Sequence, residues 1–294
     1  MRGLPQARPP RYAFGMKTIS LKAILAALLA AAPATAQLDP PSWTQATAPF
    51  TLIGPIDYVG TEGLASYLIH TRAGAILIDA PMAENVARIE YAVRARGVKM
   101  REVKYLLLSH AHFDHAGGLA GVKKLTGARL VVGARDASAV SAGIPPGETS
   151  YGVIKFPAAK VDVAARDGSK VTLGGVTLTA VSTPGHTPGC TSWKMRIIEK
   201  GKPLDILFAC SITVAGNKLV GNKRYPGIVS DFRQTFAKLG GIQADVVLPF
   251  HPESVDLFAR AKRGELVDRT ILPRMVADAR IAFEANLAKQ QKAK

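Results

Sequence analysis

Apolar positions fall into short runs first. Phe50–Ile53, Ala65–His70 and Ala75–Asp79 read as strands separated by glycine-containing turns. Ala83–Arg96 switches to helical spacing and stops before Gly97. Val103–Leu108 is apolar at nearly every position, as a buried strand should be, and runs straight into Ser109-His110-Ala111-His112-Phe113-Asp114-His115. A helix over Gly117–Leu125 and a strand over Arg129–Val132 follow. Asp136–Ala159 is rich in Pro, Gly and Ser without a clear period, and reads as a long surface loop of the kind that is often functional. The second half repeats the plan, with strands near Lys170–Val181, Thr191–Ile198 and Leu204–Ala209 and a helix over Asp231–Leu239. A strand over Asp245–Leu248 then ends at Pro249-Phe250-His251, and Leu266–Ala288 is mostly helical. Strands and helices mixed in both halves predict an α/β fold, two packed sheets with helices on the outside.

The first 36 residues stand apart. They carry five basic residues (Arg2, Arg8, Arg11, Lys17, Lys22) and no acid, then an apolar stretch over Ala23–Ala32 and the small-residue site Ala34-Thr35-Ala36. That order is a secretory signal, removed to start the mature chain near Gln37, with Met16 a second candidate start. The apolar stretch spans about half of what a bilayer core demands, so a stable membrane anchor is not expected. The expected location is the periplasm. Removing the five basic residues lowers the formal net charge from +16 to +11. The remaining Lys and Arg are scattered and no aromatic-plus-basic module is visible, which argues against a nucleic-acid partner and leaves a surface suited to attracting anionic substrates.

The chemistry lies in the histidines, of which there are six. In an extended or tightly turned loop His110 and His112 point to one side, while Asp114 and His115 can face a second point close by. Imidazole and carboxylate are ordinary zinc ligands. One ion cannot easily take all four from so short an arc, whereas two adjacent ions can. His186 lies in the rigid turn Thr183-Pro184-Gly185-His186-Thr187-Pro188-Gly189, and His251 ends a strand before Pro252. Each alone would be an ordinary structural histidine; beside the first cluster both become candidate ligands. His70 ends an apolar strand with no partner motif and reads as structural.

His110-x-His112-x-Asp114-His115, then His186, then His251, resembles the metal signature of the metallo-β-lactamase superfamily, over nearly all of the chain after the leader. Asp79, in Leu77-Ile78-Asp79, also sits where that family has an aspartate near its metal loop. The resemblance implies an αββα sandwich, two mixed β-sheets face to face with helices on the outer faces, and two zinc ions per chain. His110, His112 and His186 would hold one ion, and Asp114, His115 and His251 the other. Substrate is less well specified, because thioesterases, lactonases and sulfatases share the signature. Phe208-Ala209-Cys210-Ser211-Ile212-Thr213 lacks the acid that bridges both metals in glyoxalase-like and lactonase-like members. Gly221-Asn222-Lys223-Arg224-Tyr225-Pro226, followed by Asp231, is similar to subclass B3 β-lactamases, and Ser211 and Thr213 fall where that subclass has hydroxyls that hold the substrate carboxylate. The implied activity is hydrolysis of the β-lactam amide by a zinc-activated water, the chemistry of antibiotic resistance, with Asp114 also orienting the nucleophile. A lactone or thioester hydrolase with the same metals is the alternative, and a non-catalytic metal-binding periplasmic protein a third. No Ser-x-x-Lys motif is present. The expected partner is a small β-lactam molecule, and the chain is expected to act as a monomer.

The two cysteines are Cys190 and Cys210. With the turn of the Thr191–Ile198/Leu204–Ala209 hairpin centred near Lys200, they face each other across antiparallel strands, within disulfide range, and an exported protein meets an oxidising compartment. A disulfide is expected; a free Cys210 thiolate serving zinc, as in another lactamase subclass, is the alternative.

Overall fold

A computed structural model describes residues 39–293. The leader expected over residues 1–36 lies outside them. The described strands form two mixed sheets. The seven-stranded sheet has the order β1 (Phe50–Ile53), β2 (Ile56–Tyr58), β3 (Tyr67–Thr71), β4 (Gly74–Ile78), β5 (Val103–Leu107), β6 (Arg129–Gly133) and β7 (Val163–Ala165). It is antiparallel as far as β4 and parallel from β4 to β7. In the five-stranded sheet, β12 (Val246–Pro249) runs parallel to β11 (Lys202–Ala209). The other members, β10 (Thr191–Glu199), β9 (Val176–Ser182) and β8 (Lys170–Leu173), follow antiparallel.

Side-chain alternation decides the layers. Ile56, Tyr58, Tyr67, Ile69, Ile76 and Ile78 from the first sheet join Leu178, Trp193, Met195, Ile206 and Phe208 from the second in one buried core. The intervening residues Leu68, Leu77, Leu106 and Leu130 face the other way. There they meet Ile89 and Val93 of α1 (Val86–Ala95) and Leu119 and Val122 of α3 (Leu119–Thr126), the one-turn α2 (Phe113–Ala116) lying between these helices in the chain. The second sheet is covered by α5 (Ile228–Gly240) and α7 (Ile271–Lys292), where Phe232, Phe236 and Phe283 pack at ring-centroid distances of 5.0–5.9 Å. The result is the αββα sandwich. No helix among the described residues is long and apolar enough to cross a membrane.

Several elements differ from the sequence expectation. The run Lys170–Val181 is a hairpin, β8 and β9, because Gly174 and Gly175 both take positive φ (54° and 89°), the pair of values a tight antiparallel turn requires. The strands β2 and β7, three residues each, are too short to show a period. Within the expected loop Asp136–Ala159 the chain makes α4 (Ala137–Ala142), and α6 (Leu257–Arg263) precedes the C-terminal helix.

Two hydrogen bonds stitch the layers at one end of the sandwich. Tyr67 Oη donates to Pro249 O at 2.5 Å, and Trp193 Nε1 donates to Leu108 O at 3.2 Å. His251 and Ser109–His115 begin immediately beyond these carbonyls. At the opposite end, where His70 pairs with Ala75, buried Asp57 receives the Arg96 guanidinium (Nε to Oδ2, 2.8 Å) and the Thr51 hydroxyl (2.8 Å), and lies 2.6 Å from His70 Nε2. Burial alone would raise the Asp57 carboxyl, but Arg96, His70 and Thr51 more than offset it and hold the pKa below its ordinary 3.8. A depressed carboxylate contributes stability that is present above its unfolded pKa and lost as pH falls through the folded one. Asp57→Asn should therefore cost about 2 kcal/mol at pH 7, read as a lower urea midpoint, and the gap to the unsubstituted protein should narrow below pH ~4. An equal gap at pH 7 and pH 3 would contradict this.

Candidate metal centre

The C-terminal ends of β4, β5 and β6 share one edge, since the three are parallel neighbours. The loop leaving β5 is pinned on arrival: Leu108 N bonds to Val131 O (3.1 Å), and Ser109 N to Asp79 Oδ1 (2.7 Å). The chain stays extended at His112 (φ −104°, ψ 155°), so His110 and His112 project to one side. It then closes into α2, with Ala116 N on His112 O at 2.7 Å, which turns Asp114 and His115 elsewhere. The turn after β9 brings His186 and the end of β12 brings His251.

Two adjoining triangles of donor atoms result. Ring nitrogens of His110, His112 and His186 lie within 4.8 Å of one another, with His112 Nδ1 3.0 Å from His186 Nε2. In the second, His115 Nε2 lies 3.2 Å from Asp114 Oδ2 and 3.1 Å from His251 Nε2, and His251 Nε2 lies 3.5 Å from Asp114 Oδ2. His110, Asp114 and His115 also group within 4.8 Å, so the triangles adjoin. Donors on one tetrahedral zinc, each about 2.0–2.1 Å from it, stand roughly 3.3 Å apart. Two imidazole nitrogens 3.0 Å apart must share either a proton or a cation. His110 Nε2 is buried without a hydrogen-bond partner among the described residues, an arrangement that costs free energy unless a ligand answers it; His112 Nε2, also without one, is on the far side of its ring from the Nδ1 that meets His186. The donor set fits a pair of divalent cations.

The electrostatics differ between the triangles. Burial pushes His112 down to about 4, and burial with neighbouring rings drives His110 and His186 well below the ordinary imidazole value, so all three are neutral and offer lone pairs. His186 Nδ1–H donates to Thr213 O (2.7 Å), which leaves Nε2 as the free donor atom. In the second triangle burial would lower His115, but Asp114 and Asp79 outweigh it and raise the ring to about 10. Asp114 is correspondingly held well below the usual carboxylate range: burial opposes this, and the facing His115 prevails. A cation entering here would replace that proton.

The remaining expected residues fall as follows. Ser211 Oγ lies 3.1 Å from Thr213 Oγ1, and the Thr213 carbonyl is the one that holds His186. Asp231 takes the Tyr225 hydroxyl (2.6 Å) and Arg135 (2.8 Å) and is tied up in that contact. His70 is remote from the cluster, on Asp57. Cys190 and Cys210 have their sulfurs at bonding distance, Cα atoms 6.0 Å apart, and no free cysteine remains among the described residues. The hairpin register is one residue off the expected one: it turns on Lys200-Gly201 and pairs Trp193 with Phe208, so the cysteines meet past the last rung of the ladder.

Three further contributors surround the donors. Asp136, fully buried and raised by that burial to about 6, joins the His110–His112 loop to the His186 turn. Trp43 sets its ring 5.8 Å from that of His251. A groove beside His112 and Phe113 is walled by Pro145, Pro146, Tyr151 and Ile154. None carries a local signal, because each acts across a long sequence separation.

The model of the family described as Metallo-beta-lactamase superfamily matches residues 60–251. Among solved structures, the chain is 42% identical to BJP-1 of Bradyrhizobium japonicum, a subclass B3 metallo-β-lactamase, with a TM-score of 0.82 over 86% of this chain and 98% of that one. The FEZ-1 metallo-β-lactamase of Legionella gormanii is 35% identical, with a TM-score of 0.78 over 84% and 98%. Among curated proteins, a UPF0173 metal-dependent hydrolase of Anaeromyxobacter dehalogenans is 28% identical over 63% of this chain and 61% of its own length. A hydroxyacylglutathione hydrolase of Cereibacter sphaeroides is 29% identical over 42% and 40%. The chain thus spans about three-fifths, or less, of these two curated relatives.

The cysteine pair, 20 positions apart, closes a loop whose release should cost about 3 kcal/mol. The Cys190→Ser/Cys210→Ser double variant should show that loss in urea unfolding; an unchanged midpoint would mean the sulfurs are not joined in the folded protein.

Proposed function

The chain belongs to the metallo-β-lactamase superfamily, and we propose that it is an exported two-zinc hydrolase that opens the amide bond of β-lactams in the periplasm. The observation that carries the metal reading is the pair of adjoining donor triangles, His110/His112/His186 and Asp114/His115/His251. The β-lactam reading is supported by the likeness to BJP-1 over 98% of that chain and by the absence of an acid in Phe208–Thr213, where lactonase-like members carry one.

Bound zinc supplies Lewis acidity, polarising a carbonyl and bringing the pKa of water down to about 7. The residues of the chain do the rest. His110, His112 and His186 are neutral at pH 7, because their burial disfavours protonation, and so present lone pairs rather than charge. Asp114 stays ionised and can hold a water by hydrogen bond while orienting it. The paired hydroxyls of Ser211 and Thr213, next to the His186 support, suit a substrate carboxylate. Exposed Lys218, Lys223 and Arg224 add positive charge nearby in the chain. The groove walled by Pro145, Pro146, Tyr151 and Ile154 offers apolar surface for the remainder of a small substrate.

A second reading keeps the metals and takes a lactone or thioester; the hydroxyacylglutathione hydrolases among the relatives favour it. Initial rates with a penicillin, a cephalosporin, a carbapenem, a lactone and a thioester, each with and without a chelator, separate the two. β-Lactam turnover should vanish on chelation and return with zinc. His110→Ala should lose more than about 100-fold, beyond what partners outside the ligand shell cost, whereas His70→Ala should stay near the unsubstituted rate. Chelator-resistant β-lactam turnover would contradict the metal reading, and lactone or thioester turnover with inert β-lactams would replace the substrate.

A further inference from the structure

The first donor triangle is assembled from two stretches of chain, the 110–112 loop and the 183–189 turn. One side chain spans both. Asp136 follows β6 and is fully buried. Its Oδ2 accepts the backbone N–H of Ala111 (2.9 Å) and the hydroxyl of Thr187 (2.6 Å), while its Oδ1 accepts the N–H of Gly189 (2.7 Å). Ala111 lies between His110 and His112, and Thr187 directly follows His186. The approach is close enough to require glycine: a Cβ on Gly189 would come within 2.3 Å of Asp136 N, and one on Gly133 within 2.0 Å of Gly189 O.

Asp79 stands in a matching position for the second triangle. From the end of β4 it accepts Ser109 N–H (2.7 Å) and Ser109 Oγ–H (2.6 Å), and lies 3.0 Å from His115 Nδ1. The β5 loop is therefore bracketed by two buried carboxylates, one beyond each neighbouring strand. Asp79 reaches the His115 ring directly and the His110 ring through Ser109 Oγ, which lies 3.1 Å from His110 Nδ1, whereas Asp136 reaches only the backbone and a hydroxyl adjacent to the rings of the first triangle.

We propose that Asp136 is a positioning residue which sets the spacing of His110, His112 and His186, and with it the zinc affinity of the first triangle. This rests on the metal-pair reading above. A carboxylate needed only for folding would lower stability without separating the two affinities. One that fixes the mutual placement of three ligands weakens their shared ion and spares its neighbour.

The test is a zinc titration of the full chain against a chromophoric chelator, with cobalt(II) absorption spectra reporting coordination. The unsubstituted protein should take two ions. In Asp136→Asn, which is nearly isosteric and replaces one accepting oxygen with a donor, affinity at the first triangle should fall about 10- to 100-fold and the cobalt spectrum of that site should change, while the second moves by less than about threefold. Thr187→Val removes one of the three bonds and should act in the same direction by a smaller factor; it carries the test if Asp136→Asn does not fold. Asp79→Asn, which touches His115 directly and His110 through Ser109, should by contrast weaken both sites. Equal losses at both sites in Asp136→Asn, or no loss in either Asp136→Asn or Thr187→Val, would overturn the inference. Failure of the unsubstituted protein to bind zinc would overturn the metal-pair reading and this inference together, and would be seen before any substitution is made.

Discussion

Gathering five imidazoles and an ionised carboxylate at one largely buried edge is costly, because each buried polar atom must find a partner or forfeit its hydration. The structure meets that demand almost completely. Asp79 answers Ser109 and His115, Asp136 answers Ala111, Thr187 and Gly189, and the Thr213 carbonyl answers His186. His110 Nε2 and His112 Nε2 remain among the described residues. A network so nearly satisfied that still leaves His110 Nε2 open, and sets His112 Nδ1 3.0 Å from His186 Nε2, has its donors arranged for something other than one another.

The supports are rigid where the proposed chemistry needs precision. Parallel β4, β5 and β6 deliver Asp79, the His110–His115 loop and Asp136 to one edge, and the cross-sheet bonds from Tyr67 and Trp193 fix Pro249 and Leu108 immediately before the chain reaches the donors. The rim is built differently. Glu148, on the loop that walls the groove, accepts the backbone N–H of Lys223 (2.8 Å) and Arg224 (3.3 Å) and pairs with Lys218 Nζ (3.1 Å). Exposed contacts of this kind are individually weak. A weakly held rim can thus vary without disturbing the donors, which fits the range of proteins the chain resembles, from a subclass B3 β-lactamase to a hydroxyacylglutathione hydrolase.

Much of this was legible in the chain because it is local. His110, His112, Asp114 and His115 fall within six positions after an apolar strand, and the layered α/β order follows from runs of apolar residues. What was not legible depends on long-range pairing. Asp136 sat in a stretch that reads as loop, and its three partners lie 25, 51 and 53 positions away. The three-residue strands β2 and β7 are held by their neighbours' ladders rather than by any pattern of their own. The hairpin register expected from the turn is one residue off the observed one; the cysteine pair still meets because it lies past the ladder, where the backbone is no longer bound to the register.

The proposed zinc ions would sit side by side in these two triangles. Anomalous diffraction at the zinc edge, from crystals grown with zinc, addresses this placement most directly. Two peaks about 3.5–4 Å apart are predicted, one among His110, His112 and His186 and one among Asp114, His115 and His251. A single peak at full zinc, or peaks away from these two triangles, would contradict the account.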